Sequence, residues 1–230
     1  MYIDSLEKMI SDVVRIQSIG LAVTLFSAGH LKEGFVLRDV YYTIADLRQN
    51  SGGLTASAAR ESFKSFDAIS GRCDIFLSHS VHDAVAIAGL RNLLLNQGLS
   101  VYVDWIDDPQ MDREQVSAMT AGQLRQRMQN SNALVYATSR AAGQSRWMPW
   151  ELGYFDGFMG ADQVSICPIE SNDQNVFGGQ EYLGLYKVIE KVKTGRGVEP
   201  YVVNRIDRMR AESLRSFVAG RSNLINLSRT

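Results

Sequence analysis

SRWMPWELGYFDG, residues 145–157, predicts the start of a helix around which the rest of the chain is organised. Ser145 suits an N-cap, and Pro149 is tolerated only in a first helical turn, where its missing N–H is not needed. A buried stripe is predicted by four apolar residues at helical spacing: Met148, Leu152, Phe155 and Met159. The stretch therefore indicates a helix that packs one face on a core.

A second stripe on the same helix contains a carboxylate among aromatic rings. Its members are Trp147, Glu151, Tyr154 and Phe158. The positive end of the helix dipole favours an anion at Glu151, and flat rings around an anion suit a cationic, planar ligand. The simpler interpretation is a helix-start glutamate beside core aromatic residues. This stretch alone leaves both interpretations open.

Composition places the chain among ordinary soluble globular proteins. Its 230 residues predict one domain with an appendage, and 45% are hydrophobic and 21% charged. A net charge of −1 argues against a nucleic-acid or membrane surface. Cys73 and Cys167 have no Cys or His at metal spacing, so buried thiols are expected rather than a disulfide or a metal site. No signal peptide or membrane span is expected, which predicts a cytoplasmic protein.

The chain divides into two parts by pattern. Residues 1–70 predict a helical N-terminal extension, with helices near residues 6–19, 35–47 and 55–66. The first two helices carry more apolar residues than a hairpin can bury, so they are expected to pack on the following domain or on a second copy of the chain. Residues 71–230 are predicted to form an α/β domain, whose last helix spans residues 204–218.

From residue 72 onward, short apolar strands alternate with helices. Buried strands without polar alternation predict a parallel sheet of about five strands, covered by helices on both faces. Ligands of such sheets bind beyond the carboxyl ends of the strands. Four segments converge on that rim: residues 78–83, residues 105–114, residues 139–147 and the helix start with Glu151.

Several familiar kinds of functional site are excluded because their sequence motifs are absent. GxGxxG does not follow the first strand and GxxxxGK[ST] does not occur, so neither phosphate cradle is supported. A phospho-acceptor receiver domain would need acidic strand ends, whereas these strands end in Ser78-His79 and Thr138-Ser139. No GxSxG elbow supports a serine hydrolase. His30, His79 and His82 do not form a metal set, and the last two are either hydrogen-bonded loop residues or catalytic ones.

Three runs occur together and in order: DIFLSHS at 74–80, VYVDW at 101–105 and SRWMPWEL at 145–152. They resemble the TIR (Toll/interleukin-1 receptor) domain, with bacterial TIR proteins of antiphage defence, including the TIR subunits of Thoeris-type systems, as the nearest relatives. The resemblance covers residues 72–220 and implies a flavodoxin-like TIR fold. Many TIR domains cleave the nicotinamide–ribose bond of NAD+ with a Glu four residues after a Trp, a pair that matches Trp147 and Glu151.

The resemblance implies that Glu151 is the catalytic carboxylate and NAD+ the substrate, with no separate cofactor or metal. Substrate contacts are expected from Ser78, His79, Trp105, Trp147 and Trp150. The loop at 105–114 corresponds to the BB loop of the family, which gates the site and contacts a neighbouring subunit. Here it is acidic, with Asp107, Asp108 and Asp112, and it lacks the usual glycine-containing consensus.

The implied activity is that of an NAD+ hydrolase or ADP-ribosyl cyclase whose product is a signalling nucleotide. A separate effector protein is expected to read this signal, and the chain is expected to self-associate through its TIR domain and N-terminal helices. Two alternatives remain. One is a catalytically silent TIR adaptor, which has no need of the Trp147/Glu151 pair, and the other is a nucleoside deoxyribosyltransferase-like enzyme, which also uses a glutamate on a similar sheet.

Overall fold

The computed structural model describes residues 40–51, 72–108, 111, 116–139, 142–170, 180–221 and 223–227. The predicted helices near residues 6–19 and 55–66, and His30, lie outside these residues. The division of the chain at residue 70 stays a prediction, since most of the predicted extension lies outside them as well.

A nine-stranded sheet forms the centre of the described part. Its strands are β1 Tyr42–Thr43, β2 Cys73–Ser78, β3 Val101–Tyr102, β4 Ser131–Thr138, β5 Val164–Glu170, β6 Lys187–Thr194, β7 Gly197–Val203, β8 Arg210–Ser213 and β9 Ile225–Asn226. The order is β3-β2-β4-β5-β6-β7-β8-β9, and β1 pairs with β5. Strands β1 to β6 pair with one another in parallel, which confirms the predicted α/β core. Strands β7, β8 and β9 add an antiparallel extension.

Helices cover the two faces of the sheet. They are α1 Ile44–Asn50, α2 Ala84–Asn96, α3 Asp104–Asp107, α4 Ala118–Gln129, α5 Met148–Met159 and α6 Leu214–Val218. Alternate residues of a strand face opposite sides. Leu77 and Val135 therefore pack with α2, α3 and α6 on one face, while Phe76 and Leu134 pack with α4 and α5 on the other. The predicted cover on both faces is confirmed.

Two predicted helices are wrong in part. Residues 35–47 were expected to be one helix, but Tyr42–Thr43 is a strand and the helix begins at Ile44. Thr43 starts it with a capping box: its hydroxyl accepts from the Asp46 N–H, and the Asp46 carboxylate accepts from the Thr43 N–H, both at 3.0 Å. Residues 204–218 were also expected to be one helix. There, pairing of β8 with β7 overrides helical periodicity, and only Leu214–Val218 is helical.

Helix α1 packs closely on α2 at Gly89. A Cβ atom at Gly89 would lie 1.8 Å from the Leu47 carbonyl oxygen, which is backbone and cannot rotate away. We expect Gly89→Ala to lower the free energy of unfolding by about 1–3 kcal/mol, because the two helices must separate. Urea unfolding would measure the loss. The control is Gly153→Ala on α5, where nothing lies within 4 Å of the added methyl group; equal stability of both variants would contradict the α1–α2 packing.

Candidate active site

The end of β2 meets the first turn of α5 in a buried hydrogen bond. The Ser78 hydroxyl donates to Glu151 Oε2 at 2.6 Å. Both residues are 0% exposed. The strand end and the helix start thus bring an alcohol and a carboxylate together at the carboxyl edge of the sheet, where parallel α/β proteins bind ligands.

Glu151 lies on the buried face of α5, not in the predicted aromatic stripe. It is buried together with Met148, Leu152 and Phe155. Met159, which was expected in the buried apolar stripe with these three residues, is 38% exposed. Of the other members of the predicted second stripe, Trp147 is buried as well, whereas Phe158 is exposed and the Tyr154 ring stacks between the Trp150 and Phe158 rings, at centroid distances of 5.7 and 6.4 Å. The reason is geometric, since position 151 is one turn from 148 and 155 and faces the sheet with them.

The start of α5 differs by two residues from the sequence prediction. The helix begins at Met148 after Trp147, whose side chain makes no capping bond, and Pro149 occupies the first turn as expected. Ser145 is therefore not the N-cap, although its hydroxyl accepts from the Met148 N–H at 3.2 Å. Glu151 follows within the first turn, where the helix dipole favours a negative charge.

The two tryptophans near Glu151 take part in packing. Trp147 is 5% exposed and belongs to the apolar core under α4 and α5. Its ring meets the Trp150 ring edge-on, with centroids 5.5 Å apart and planes at 77°. The guanidinium of Arg125 lies 5.3 Å from the centre of the Trp150 ring. The predicted contact of either ring with a substrate stays a prediction.

His79 is buried beside the first residues of α3. Its Nδ1 lies 2.8 Å from the Leu77 carbonyl oxygen, and its Nε2 lies 3.3 Å from Asp104 Oδ1, outside hydrogen-bond geometry. Trp105 packs its ring against the His79 ring, with centroids 6.3 Å apart. The prediction that Trp105 opens a loop is wrong: Asp104–Asp107 is a helical turn, and Trp105 contacts the α2-side core.

Asp107 is held by a buried ion pair across to α2. Arg91 Nη2 lies 3.4 Å from Asp107 Oδ1, and the other carboxylate oxygen accepts from the Val103 N–H at 2.6 Å. Burial raises the pKa of Asp107 above its ordinary value, although the Val103 N–H and Arg91 oppose the rise. This acidic residue of the predicted loop therefore points inward and fixes α3.

Asp108 is fixed to α4. Arg127 donates to both of its oxygens at 2.8 Å, and the Tyr102 hydroxyl donates at 2.7 Å. Burial alone would raise the pKa of Asp108, but the hydrogen bonds from Arg127 and Tyr102 outweigh it and lower the pKa below its ordinary value. Two of the three acidic residues noted in this segment thus stabilise its attachment to the domain.

Tyr136 lies beside Ser78 at the candidate site and was not predicted from the sequence. It pairs with Ser78 in the β2–β4 register and is 3% exposed. Burial, with the nearby charges and hydroxyl of Tyr182 and Glu151, raises the pKa of Tyr136, so its hydroxyl remains a neutral donor. In the sequence Tyr136 is one more apolar residue of a buried strand, and only the strand register points to its place beside Ser78.

The described residues also bear on the predictions about the cysteines, metal ligands and membrane-spanning helices. Cys73 and Cys167 are buried free thiols, as predicted. Among the described residues no group of three or more His, Cys, Asp or Glu side chains could hold a metal ion. No helix within the described ranges has the length and apolar character needed to cross a membrane.

Comparison with curated proteins identifies two relatives. The chain is 53% identical over 119 residues to "Probable 3′ cyclic ADP-D-ribose synthase ThsB′" of Bacillus cereus (strain MSX-D12), a match that covers 51% of this chain and 61% of that protein. It is 32% identical over 82 residues to "Putative cyclic ADP-D-ribose synthase TIR2" of Cytobacillus dafuensis, covering 35% of this chain and 22% of that protein. The matches span less than two thirds of either relative. No protein-family profile matches the chain.

Proposed function

Because the chain is a relative of bacterial TIR proteins named as cyclic ADP-D-ribose synthases, we propose that it cleaves NAD+ at the nicotinamide–ribose bond and closes the ADP-ribose part into a ring. The observation that carries the proposal is the Glu151 carboxylate at the carboxyl edge of the sheet, with the Ser78 hydroxyl bound to it at 2.6 Å. We also propose that the site needs neither a metal nor a further cofactor, because the substrate itself carries the leaving group.

The chemistry requires an anion near the ribose. The C1′–N bond breaks with its electron pair going to nicotinamide, which is cationic in NAD+ and leaves as a neutral molecule. No general acid is needed for this departure. Positive charge develops on the ribose, as in glycoside cleavage, and the fixed carboxylate of Glu151 stabilises it. An oxygen or nitrogen nucleophile of the same ADP-ribose then closes the ring, whereas water would give linear ADP-ribose.

Ser78 takes the place of a substrate hydroxyl in this closed structure. Its O–H donates to the carboxylate as a ribose hydroxyl would. Since Glu151 is 0% exposed, NAD+ reaches it only after the side chains above it move. His79 and Trp105 lie at this edge and are proposed as further substrate contacts, together with Trp147 and Trp150.

The burial of Glu151 also favours a second candidate, a TIR domain that assembles without turnover. An adaptor needs no accessible carboxylate, and a closed site is compatible with that role. Self-association that survives Glu151→Ala, together with intact NAD+, would support the adaptor. The deoxyribosyltransferase-like alternative is separated from both by offering nucleosides in place of NAD+.

The product is proposed to act as a signal in antiphage defence of the Thoeris type, where a separate effector protein would bind it. Self-association of the chain, through its TIR domain and N-terminal helices, and a cytoplasmic location belong to the same proposal. The names of the two relatives support the cyclic product.

The test is to incubate the purified chain with NAD+ over a range of protein concentrations and to separate the products by chromatography and mass. We expect nicotinamide together with a product lighter than ADP-ribose by the mass of water. Linear ADP-ribose alone would identify a hydrolase and contradict ring closure. Intact NAD+ at every concentration, from fully folded protein, would contradict the proposal.

A further inference from the structure

The face of the sheet under α5 continues from Ser78 to Tyr136. Paired positions of neighbouring parallel strands direct their side chains to the same face. Tyr136 accordingly belongs to the apolar cluster that contains Met148 and Phe155 of α5. A buried phenol therefore lies beside the Ser78–Glu151 pair, on the same side of the sheet.

A second phenol connects this buried group with the surface. Tyr182, in the short 3-10 helix Glu181–Leu185, lies close enough to Tyr136 to help raise the pKa of its phenol. Tyr136 is 3% exposed, whereas Tyr182 is 37% exposed. Two contacts hold this short helix in place. Leu183 is buried in the α5-side core, and the hydroxyl of Tyr186, the residue after the helix, donates to Asp156 of α5 at 2.9 Å. Tyr182 thus lies on a fixed segment, with its own side chain partly in solvent.

We propose that Tyr136 and Tyr182 form a second wall of the substrate site, in which Tyr182 turns outward to admit NAD+ and the Tyr136 hydroxyl then donates to the ribose held by Glu151. This inference rests on the proposed function. It adds a substrate-binding residue and an entrance residue to the carboxylate.

The pairing of a phenol with a carboxylate matches the chemistry of a sugar hydroxyl. A hydroxyl group donates one hydrogen bond and accepts others, so Glu151 accepts its proton while Tyr136 donates to its lone pair. Burial raises the pKa of Tyr136, which keeps the phenol neutral and adds no second anion. In the closed structure Ser78 is hydrogen-bonded to Glu151, and Tyr182 lies near Tyr136.

The test compares Tyr136→Phe and Tyr182→Phe in steady-state nicotinamide release from NAD+. Tyr136→Phe removes the donor, so KM is expected to rise roughly 3- to 10-fold and the ratio of cyclic to linear product to change. Tyr182→Phe removes only the hydroxyl that lies near Tyr136 in the closed structure, which weakens the closed state. It raises the population of the open state, so KM is expected to fall.

Opposite shifts of KM in the two variants would support the inference, because loss of a merely structural hydrogen bond does not lower KM. Tyr201→Phe, on β7, is the matched control and is expected to behave as the wild type. Unchanged kinetics, or KM shifts in the same direction, would overturn the second wall while an active wild type leaves the proposed function standing. A wild type that releases no nicotinamide would contradict the proposed function, and this inference with it.

Discussion

Replacing Glu151 with glutamine is expected to slow nicotinamide release from NAD+ by a factor of about 10³ or more. Removal of one group that stabilises transition-state charge costs about 10²–10³ in rate, and here the lost charge lies closest to the developing cation. The amide has nearly the same shape and can still accept the hydrogen bond from Ser78. The variant should therefore fold, and the loss should appear in kcat rather than in the yield of soluble protein.

A matched control for this change exists on the same helix. Asp156 lies on α5 and accepts a hydrogen bond from Tyr186, away from Ser78. Asp156→Asn makes the same carboxylate-to-amide change, and its amide oxygen can still accept the hydrogen bond from Tyr186 that holds the segment of Tyr182. It is expected to leave kcat within about threefold of the wild type, since the change does not touch the reacting groups. Equal losses in both variants would indicate a general effect on α5 and contradict a specific role for Glu151.

The largest expected effect on stability is at Arg91, which is 1% exposed and paired with Asp107. Arg91→Met leaves a buried carboxylate without its partner, which lowers the free energy of unfolding by about 3–5 kcal/mol. The loss should be smallest at acid pH. Without Arg91 the pKa of Asp107 in the folded state rises further above its unfolded value, so the deficit grows as the pH rises through that pKa.

Chemical unfolding at several pH values would measure this loss. An exposed ion pair provides the comparison: Arg196 lies 3.4 Å from Glu199 and is largely in solvent. Arg196→Met is expected to cost less than about 1 kcal/mol at every pH, because solvent screens surface pairs. If Arg91→Met were as mild as Arg196→Met, the buried pair would not be what holds α3 in place.

The parallel core could be predicted from the sequence because its signals are local. Cys73–Ser78 and Val164–Glu170 are continuous apolar runs, and such runs with intervening helices indicate buried parallel strands. The strand Arg210–Ser213 carries no such signal. It forms because Ala211 and its neighbours pair with the antiparallel strand β7 just before it in the chain, and this pairing overrides the helical pattern.

The order of strands and helices in the sequence predicted where the candidate site lies but not the geometry of its side chains. The rule that strand ends meet at one rim placed Ser78 and Glu151 near each other, and the structure puts them 2.6 Å apart. The rule gives no side-chain geometry, so it did not show that both are fully buried. Trp105 was misplaced because Asp107 folds back onto Arg91, a partner sixteen positions earlier that no local pattern reveals.

The most direct test of the central claim is the structure of the Glu151→Gln variant with NAD+ bound. We predict that the amide at position 151 lies within hydrogen-bond distance of the nicotinamide-side ribose, that Ser78 has released it, and that the C1′–N bond lies at the carboxyl edge of β2. NAD+ bound elsewhere on the protein, with the amide still held by Ser78 and buried, would contradict the account.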